Sequence, residues 1–460
     1  MISVQNHRQL LNGNKIIFVL IAIFFFSSCG IFSGSSKKRS RHTKRRPPAH
    51  KDKVNNKNDN KVDTLQWPED NHEKDKVDLH GTVIKNSYTI DLLIPFAANK
   101  HFDDIFALEK SRTNRFLHYY SGVLMALKKL EKEGANFTVN VFDAPVKNDR
   151  ISMIKSKMNQ DPPDIIIGPY DKSQLKSIAN YGKRKEIDVV SPWKSYSSIG
   201  NNNPYYIQLK PSLENHFEAL VQNVDRNFNP GNVYVVGRDI YKDKARIKKI
   251  NEIHKLNNEN AEDYNILIVN KDSLEHEGKI FDDIFYEKNY KEKVFIIPNW
   301  SYKDESFIYS CLRKLNIEKG EKKVYVYGMP ILLKSNKVGY NFFKRLNIRV
   351  ASPRYLDDND RKIRKFKYDY YKRFNVFPLD EAFDGYDMMM FVGENMMKYG
   401  TKFQYFIENQ KNDLLVNSIN LLRNVKEEDI KKENLDKINY FENTDLFIVG
   451  FKFNKFEKIK

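Results

Sequence analysis

The chain has 460 residues and a formal net charge of +18, from 78 Lys and Arg against 60 Asp and Glu. This length is sufficient for two or three domains with hydrophobic cores of their own. Half of the positive excess lies in one segment, 37–61, which contains 11 Lys or Arg but only two acids, a net charge of +9. Because the charge is concentrated in this way, it does not by itself indicate a nucleic-acid-binding domain.

The N-terminus has the pattern of a signal peptide. Arg8 and Lys15 precede an apolar run, 16–26, of about 11 residues, whereas a helix needs roughly 20 to span a bilayer. Small residues follow, and then Cys29. A basic N-terminal region, a short apolar run and small residues are typical of a signal peptide, which here would be residues 1–28. The cysteine that follows these small residues resembles the cysteine of the bacterial lipobox. The resemblance implies cleavage before Cys29 and its acylation, as by palmitate. The alternatives are an ordinary signal peptide or a buried helix.

Residues 29–85 are predicted to form a disordered, lipid-anchored tether. The basic part has no apolar periodicity and contains Pro47-Pro48 and many Asn and Ser residues, so it cannot bury enough surface to fold. Since a signal peptide places it outside the cytoplasm, it would meet anionic lipid or glycan rather than nucleic acid, unless it is only a soluble spacer. Gly30 is not an acidic retention signal, which favours the outer membrane over the inner, with the protein facing the periplasm.

Beyond the tether, strand and helix patterns alternate in a first array. The predicted elements, in order, are strand 88–96, helix 115–133, strand 137–142, helix 150–158, strand 165–167, a helix, and strand 189–190. Short apolar strands that alternate with helices predict a parallel sheet buried on both faces. The turns after the last two strands, Gly168-Pro169 and Ser191-Pro192, fall at carboxyl ends of strands, where open α/β sheets bind ligands.

A second array starts after residue 209. Its predicted elements are helix 213–227, strand 232–237, helix 240–256, strands 264–269 and 293–297, helix 302–315, strands 323–328 and 348–350, helices 360–374 and 381–399, and a late strand or hairpin, 446–456. Two serial arrays of this kind predict an α/β protein with two lobes, each a parallel sheet flanked by helices, and a cleft between them.

The order of these segments resembles the type I periplasmic binding protein fold of the branched-chain amino acid binding proteins. The segments that carry the resemblance are TIDLLIPF at 89–96, FLHYYSGVLMALKKLEKEG at 116–134, VNVFDA at 139–144, DIIIGPYDKSQ at 164–174, VVSPW at 189–193, YIQLKPS at 206–212 and the helical segment 366–400, which contains Gly385-Tyr386-Asp387. The resemblance covers about 86–460. It implies a first lobe of 86–208, to which about 360–420 returns, and a second lobe of 209–359, with 421–460 near the hinge or in the second lobe.

The resemblance also implies a set of ligand-binding residues at the strand ends. In the first lobe they are Lys172, Ser173, Trp193, Lys194 and Ser195; in the second they are Arg238, Asp239 and Met329. Hydroxyls and backbone N–H groups at helix N-termini suit an anionic group, and Trp193 could stack on a ring. Amino-acid binders commonly hold the ligand's ammonium group with an acid in the second lobe, but 328–330 contains none.

The sequence contains no pattern that indicates an enzyme. It has no P-loop, no H-E-x-x-H, no G-x-S-x-G and no G-x-G-x-x-G after a strand. We therefore expect a binding protein without a cofactor or a metal. Three functions stay open: capture of a small solute, as by an ABC transporter substrate-binding protein; a protein or glycan partner, as in the outer-membrane lipoproteins of this fold that activate peptidoglycan synthases; or a scaffold whose cleft binds nothing.

Overall fold

The computed structural model describes residues 81–98, 113–146, 150–258, 261–270, 274, 279–286, 290–426, 429 and 437–459. The predicted signal peptide, Cys29 and the tether up to residue 80 lie outside the described residues. None of the helices in the described ranges is long and apolar enough to span a bilayer.

The last residues of the predicted tether are part of the folded structure. Thr82 Oγ1 donates a hydrogen bond to Tyr399 O (2.7 Å), and Val83 N donates one to Thr401 Oγ1 (3.2 Å). The predicted disordered tether therefore extends too far along the chain, because Thr82 and Val83 are part of the folded structure. Short-range sequence patterns miss this ordering, because the partners of these residues lie more than 300 positions further along the chain.

The described elements are named here in chain order. The strands are β1 (Tyr88–Ile94), β2 (Phe137–Asp143), β3 (Ile165–Ile167), β4 (Asp188–Ser191), β5 (Tyr206–Gln208), β6 (Val233–Gly237), β7 (Asn265–Ile268), β8 (Lys293–Ile297), β9 (Val324–Gly328), β10 (Ile348–Ser352), β11 (Asn412–Asp413), β12 (Ser418–Ile419), β13 (Leu421–Val425), β14 (Ile438–Asn443), β15 (Phe447–Lys452) and β16 (Lys455–Lys458). The helices are α1 (Asn114–Lys132), α2 (Arg150–Gln160), α3 (Lys172–Lys185), α4 (Leu213–Asn227), α5 (Tyr241–Asn257), α6 (Asp282–Phe285), α7 (Glu305–Glu318), α8 (Ile331–Lys334), α9 (Tyr340–Arg345), α10 (Arg361–Phe374) and α11 (Asp380–Tyr399).

Within the described ranges the strands form two seven-stranded sheets, apart from a small β11–β12 pair. The first has the order β13-β14-β5-β4-β3-β1-β2 and the second β16-β15-β10-β9-β8-β6-β7. Neighbouring strands among β1–β5 and among β6–β10 are parallel. The predicted α/β fold with two lobes is therefore confirmed.

Each lobe has its own hydrophobic core because helices cover both faces of its sheet. Every residue of β3 is fully buried, which explains why the strand consists of isoleucine alone. In the first lobe α1 and α11 pack on one face of the sheet, and α2 and α3 pack on the other. In the second lobe the core includes side chains of α4, α5 and α7. Two separate cores allow the lobes to move relative to each other.

In the described structure the chain passes between the two sheets three times: after β5, after β10, and between β14 and β15. The sequence placed 421–460 near the hinge or in the second lobe, and this requires a correction. β13 and β14 extend the first sheet, where β14 pairs in parallel with β5, whereas β15 and β16 extend the second. Pairing of Phe441 with Ile207 is a long-range contact that local periodicity does not encode.

Candidate functional site

A cavity of about 500 Å³ lies between the two lobes. The first lobe contributes residues that follow β3, β4 and β5, and the second contributes residues that follow β9 and β10. The first turn of α1, the first two turns of α11, and Val449 and Phe456 from β15 and β16 complete the wall. Its aromatic and charged lining includes Arg115, Phe116, Tyr170, Trp193, Lys210, Lys334, Arg354 and Asp384. The carboxyl ends of parallel strands face each other here, which is where α/β sheets bind ligands.

Trp193 is the centre of an aromatic cluster on the first-lobe side. Its ring centroid lies 5.0 Å from that of Tyr119, 5.9 Å from that of Phe116 and 6.1 Å from that of Tyr170. Tyr119 and Phe116 belong to α1, so the helix fixes the orientation of the indole. Among the described residues the Nε1 of Trp193 has no hydrogen-bond partner, although it is buried.

Arg115 lies beside this cluster, with its guanidinium 4.7 Å from the Phe116 ring centroid and 5.0 Å from that of Tyr170. Its Nε is buried and, within the described part of the chain, lacks a hydrogen-bond partner. Burial acts to raise the pKa of Tyr170, but the charge of Arg115 and hydrogen bonds from Lys194 and Arg115 outweigh it, so that pKa is lowered. The wall is therefore electropositive at its aromatic edge.

The opposite edge carries an ion-pair network centred on Asp384 of α11. Lys210 Nζ lies 3.6 Å and Arg354 Nη1 lies 3.9 Å from its carboxylate, and Arg354 also pairs with Asp380 at 3.0 Å. Burial acts to raise the pKa of Asp384, but the neighbouring cations, Lys210 first among them, lower it overall. Since Lys210 and Arg354 lie where the chain passes between lobes, this network ties the hinge to the first lobe.

The predicted first-lobe residues are divided between the cavity wall and its surroundings. Trp193 lines the cavity, and Lys194 contacts the lining residue Tyr170, with Nζ 4.1 Å from its ring centroid. Ser195 is half-buried next to it. Lys172 lies against Tyr196, at 5.1 Å, and Ser173 Oγ donates to Asp171 Oδ1 (2.7 Å) at the start of α3. Neither is among the residues that line the cavity in the described structure.

The predicted second-lobe residues do not line the cavity in the described structure. Arg238 pairs with Asp243 and Asp304 inside the lobe, at 2.7 and 2.6 Å. Asp239 is exposed and pairs with Lys244. Met329 is only 2% exposed and belongs to the hydrophobic core. The turns follow strands as predicted, but Arg238 and Met329 are held by partners inside the lobe, and Asp239 lies on the exposed surface.

The charged lining residues that the sequence prediction missed are Arg115, Lys210, Lys334, Arg354, Asp380, Glu381 and Asp384. The prediction was confined to turns after strands, whereas Arg115 lies in the first turn of α1 and Asp384 in the second turn of α11. Asp387, one turn after Asp384, has a different role. Its carboxylate accepts hydrogen bonds from the backbone N–H groups of Leu415, Val416 and Asn417, which fixes the loop before β12.

Comparisons with known proteins agree with this geometry. The sequence profile of a family described as the receptor family ligand binding region matches residues 120–427. Among curated proteins, none matches the chain.

Three of the similar solved structures illustrate the likeness. A Rhodospirillum rubrum structure assigned to branched-chain amino acid ABC transport has a TM-score of 0.56 at 12% identity, over 81% of this chain and 100% of that one. A branched-chain amino acid ABC transporter periplasmic ligand-binding protein from Burkholderia xenovorans LB400 has a TM-score of 0.51 at 12% identity, over 81% and 94%. Full-length LpoA from Haemophilus influenzae has a TM-score of 0.53 at 12% identity, over 82% and 60%. At such identities the likeness concerns the fold alone.

The chain belongs to the receptor family ligand-binding region family, and its fold is the type I periplasmic binding protein fold that the order of its segments predicted.

Proposed function

We propose that this protein is an extracytoplasmic ligand-binding protein that captures a small solute between its lobes. The observation that carries the proposal is the cavity itself, whose wall combines an aromatic cluster with the guanidinium of Arg115. A guanidinium forms charge-assisted hydrogen bonds with an anionic group, and aromatic rings pack on an apolar or ring-shaped one. The wall therefore suits a solute with an anionic or strongly accepting group and an apolar or ring-shaped part.

Closure of the two lobes would complete the site. Arg115 and Trp193 belong to the first lobe, whereas Lys334 and Arg354 follow strands of the second. A solute that contacts both sets binds the closed arrangement more tightly than the open one, and this difference drives closure. The three passages of the chain between the lobes are the segments that would change conformation.

A thermal-shift screen of the folded part against amino acids, sugars and muropeptides tests the function. At least one compound should raise the melting temperature in a concentration-dependent manner, since a ligand that binds the native state stabilises it. The same compound should reduce the radius of gyration measured by small-angle X-ray scattering, because closure brings the lobes together. If no compound raises the melting temperature, the capture of a small solute is contradicted.

The same fold is also compatible with an envelope protein that binds a protein or glycan partner, such as a regulator of peptidoglycan synthesis. The likeness to full-length LpoA, at a TM-score of 0.53, supports this second candidate as far as the fold goes. Affinity capture of a peptidoglycan synthase by a protein that no small solute stabilises would favour it over the first.

In both cases we propose that Cys29 carries a lipid anchor and that the protein faces the periplasm, at the outer membrane. The support is the sequence at 1–30, together with structural relatives that include a periplasmic ligand-binding protein. A Cys29→Ser variant should shift from the membrane fraction to the soluble fraction and lose labelling with palmitate. An unchanged distribution would contradict the anchor.

A further inference from the structure

A second cavity, of about 980 Å³, lies on the first lobe and shares no lining residue with the interlobe cleft. We call it the basic groove. The C-terminal half of α1 forms one wall, α10 forms the other, and α11 and the loop before β12 form the floor. Between Lys362 and Arg373 the wall formed by α10 spans eleven residue steps, which corresponds to about 16 Å.

The walls of the basic groove are strongly cationic. They carry Lys128, Lys129, Lys132, Lys362, Lys365, Lys372 and Arg373, all exposed. Lys365 is paired with Asp369 at 2.6 Å. In the described ranges, no carboxylate lies within ion-pair distance of Lys128, Lys132, Lys362 or Lys372. The fold therefore gathers like charges from two helices, and their mutual repulsion is relieved when an anionic partner binds.

The floor of the groove is partly apolar. Tyr386, Met390, Leu414 and Leu415 lie beside the carboxylates of Asp387, Glu394 and Asp413, and the walls add the apolar side chains of Met125 and Phe366. The loop that carries the two leucines is held in place by Asp387, which is buried and accepts hydrogen bonds from Leu415 N (2.8 Å) and Val416 N (2.9 Å). A cationic rim over a partly apolar floor fits a partner that presents carboxylates beside apolar side chains.

Other anionic partners fit this surface less well. A flat membrane surface does not enter a concave groove. A uniform polyanion such as nucleic acid would not use the apolar side chains of the groove.

Aromatic side chains extend the surface beyond the groove. α10 also exposes Tyr368 and Tyr371, and Phe377, which follows the helix, stacks on Tyr371 at 5.0 Å. Tyrosine and phenylalanine are enriched in the cores of protein interfaces. The exposed face of α10 therefore combines the residue types that a protein partner buries.

We propose that the basic groove binds an acidic segment of a partner protein, in which apolar side chains alternate with carboxylates. The length of the α10 wall accommodates about eleven residues of a helix or about five of a strand. This inference is independent of the interlobe cleft and of any solute bound there.

The test is the binding of a fluorescein-labelled twelve-residue peptide of Glu and Leu at helical spacing, followed by fluorescence anisotropy. The protein should bind the Glu–Leu peptide, more weakly as salt is added. A Lys128→Glu/Lys372→Glu variant should weaken binding at least tenfold. The control is Lys183→Glu/Lys242→Glu, which has the same net charge and alters exposed lysines on α3 and α5; it should change the affinity less than threefold.

Four outcomes would overturn the proposal: no binding of the Glu–Leu peptide, equal losses in the two variants, equal binding of an all-Glu peptide, or preference for phosphatidylglycerol vesicles over the peptide. The last two would assign the groove to polyanions or to a membrane. Melting temperatures of both variants should stay within 2 °C of the unaltered protein, since all four lysines are exposed.

Discussion

Replacement of Gly385 by alanine is expected to lower the melting temperature by about 6 °C or more. This glycine lies where α11 crosses α1, and a Cβ atom there would stand 2.0 Å from the backbone carbonyl oxygen of Tyr119. On the other helix, a Cβ on Gly122 would stand 1.9 Å from the carbonyl oxygen of Ala382. The two backbones are therefore in direct contact, and alanine would force the helices apart. Such overpacking costs about 3 kcal/mol, which corresponds to this change in melting temperature.

The direction of the change in melting temperature distinguishes steric overpacking from helix propensity. Helix propensity alone predicts that alanine in place of a mid-helix glycine stabilises the protein by up to about 1 kcal/mol. Gly339→Ala is the control, since a Cβ at Gly339 meets no atom within 4 Å. The melting temperatures of both variants, measured by calorimetry, distinguish the two expectations. A Gly385→Ala variant that melts at or above the temperature of the unaltered protein would refute the close contact of α1 with α11.

Replacement of Asp243 by alanine is expected to cost about 3 kcal/mol of unfolding free energy. The carboxylate is fully buried and accepts hydrogen bonds from Arg238 Nε (2.7 Å), Arg246 Nη1 (2.8 Å) and Asn299 Nδ2 (3.1 Å). When the carboxylate of Asp243 is removed, Arg238 and Arg246 remain in a partly buried site, and Asp304 is the carboxylate that still pairs with both. Removal of one partner from such a network costs several kcal/mol, because the other charges are left uncompensated.

The same variant has a defined pH dependence. Burial acts to raise the pKa of Asp243, but hydrogen bonds from Arg238 outweigh it, so the folded-state pKa is below its ordinary value. The stabilisation is therefore present above about pH 4 and lost as the pH falls through the folded-state pKa. Urea unfolding of the protein and of Asp243→Ala should give a difference that narrows below pH 4. A difference that stays constant down to pH 2 would contradict an ionised Asp243.

Asp239→Ala is the matched control for Asp243→Ala. Asp239 lies four residues earlier, but it is exposed and pairs only on the surface, so its loss should cost less than about 1 kcal/mol. Neither variant should alter ligand affinity, because Arg238 and its carboxylate partners do not line the interlobe cavity in the described structure. If Asp243→Ala weakens the binding of a solute, Arg238 becomes a candidate ligand-binding residue again.

The fold was largely predictable from the sequence because buried parallel strands have a local signature. Ile165–Ile167 and the apolar runs of the second array are too short and too apolar for surface elements, and the helices between them carry one apolar stripe. The position of β14 was not predictable, since its pairing with β5 joins positions more than 200 residues apart.

The candidate site was predictable only in part. Trp193 was identified because it follows a strand, and it does line the cavity. Arg238 follows a strand equally, yet the carboxylates of Asp243 and Asp304 hold it inside the lobe. Arg115 and Asp384 escaped prediction because nothing local distinguishes them from other charged residues of amphipathic helices. The basic groove was not predictable for the same reason. Its two walls come from helices more than 200 residues apart, and the sequence of each helix alone resembles an ordinary solvent-exposed face.

The central claim is that the cavity between the lobes is the ligand site. Its most direct test is calorimetric titration of the best compound from the thermal-shift screen into the protein, a Trp193→Ala variant and a Trp300→Ala variant. Trp300 is 52% exposed and does not line the described cavity, so it controls for the loss of a tryptophan. We predict an affinity at least tenfold weaker for Trp193→Ala, since removal of an aromatic anchor costs more than about 1 kcal/mol, and an unchanged affinity for Trp300→Ala. Equal affinities for all three proteins would contradict the claim.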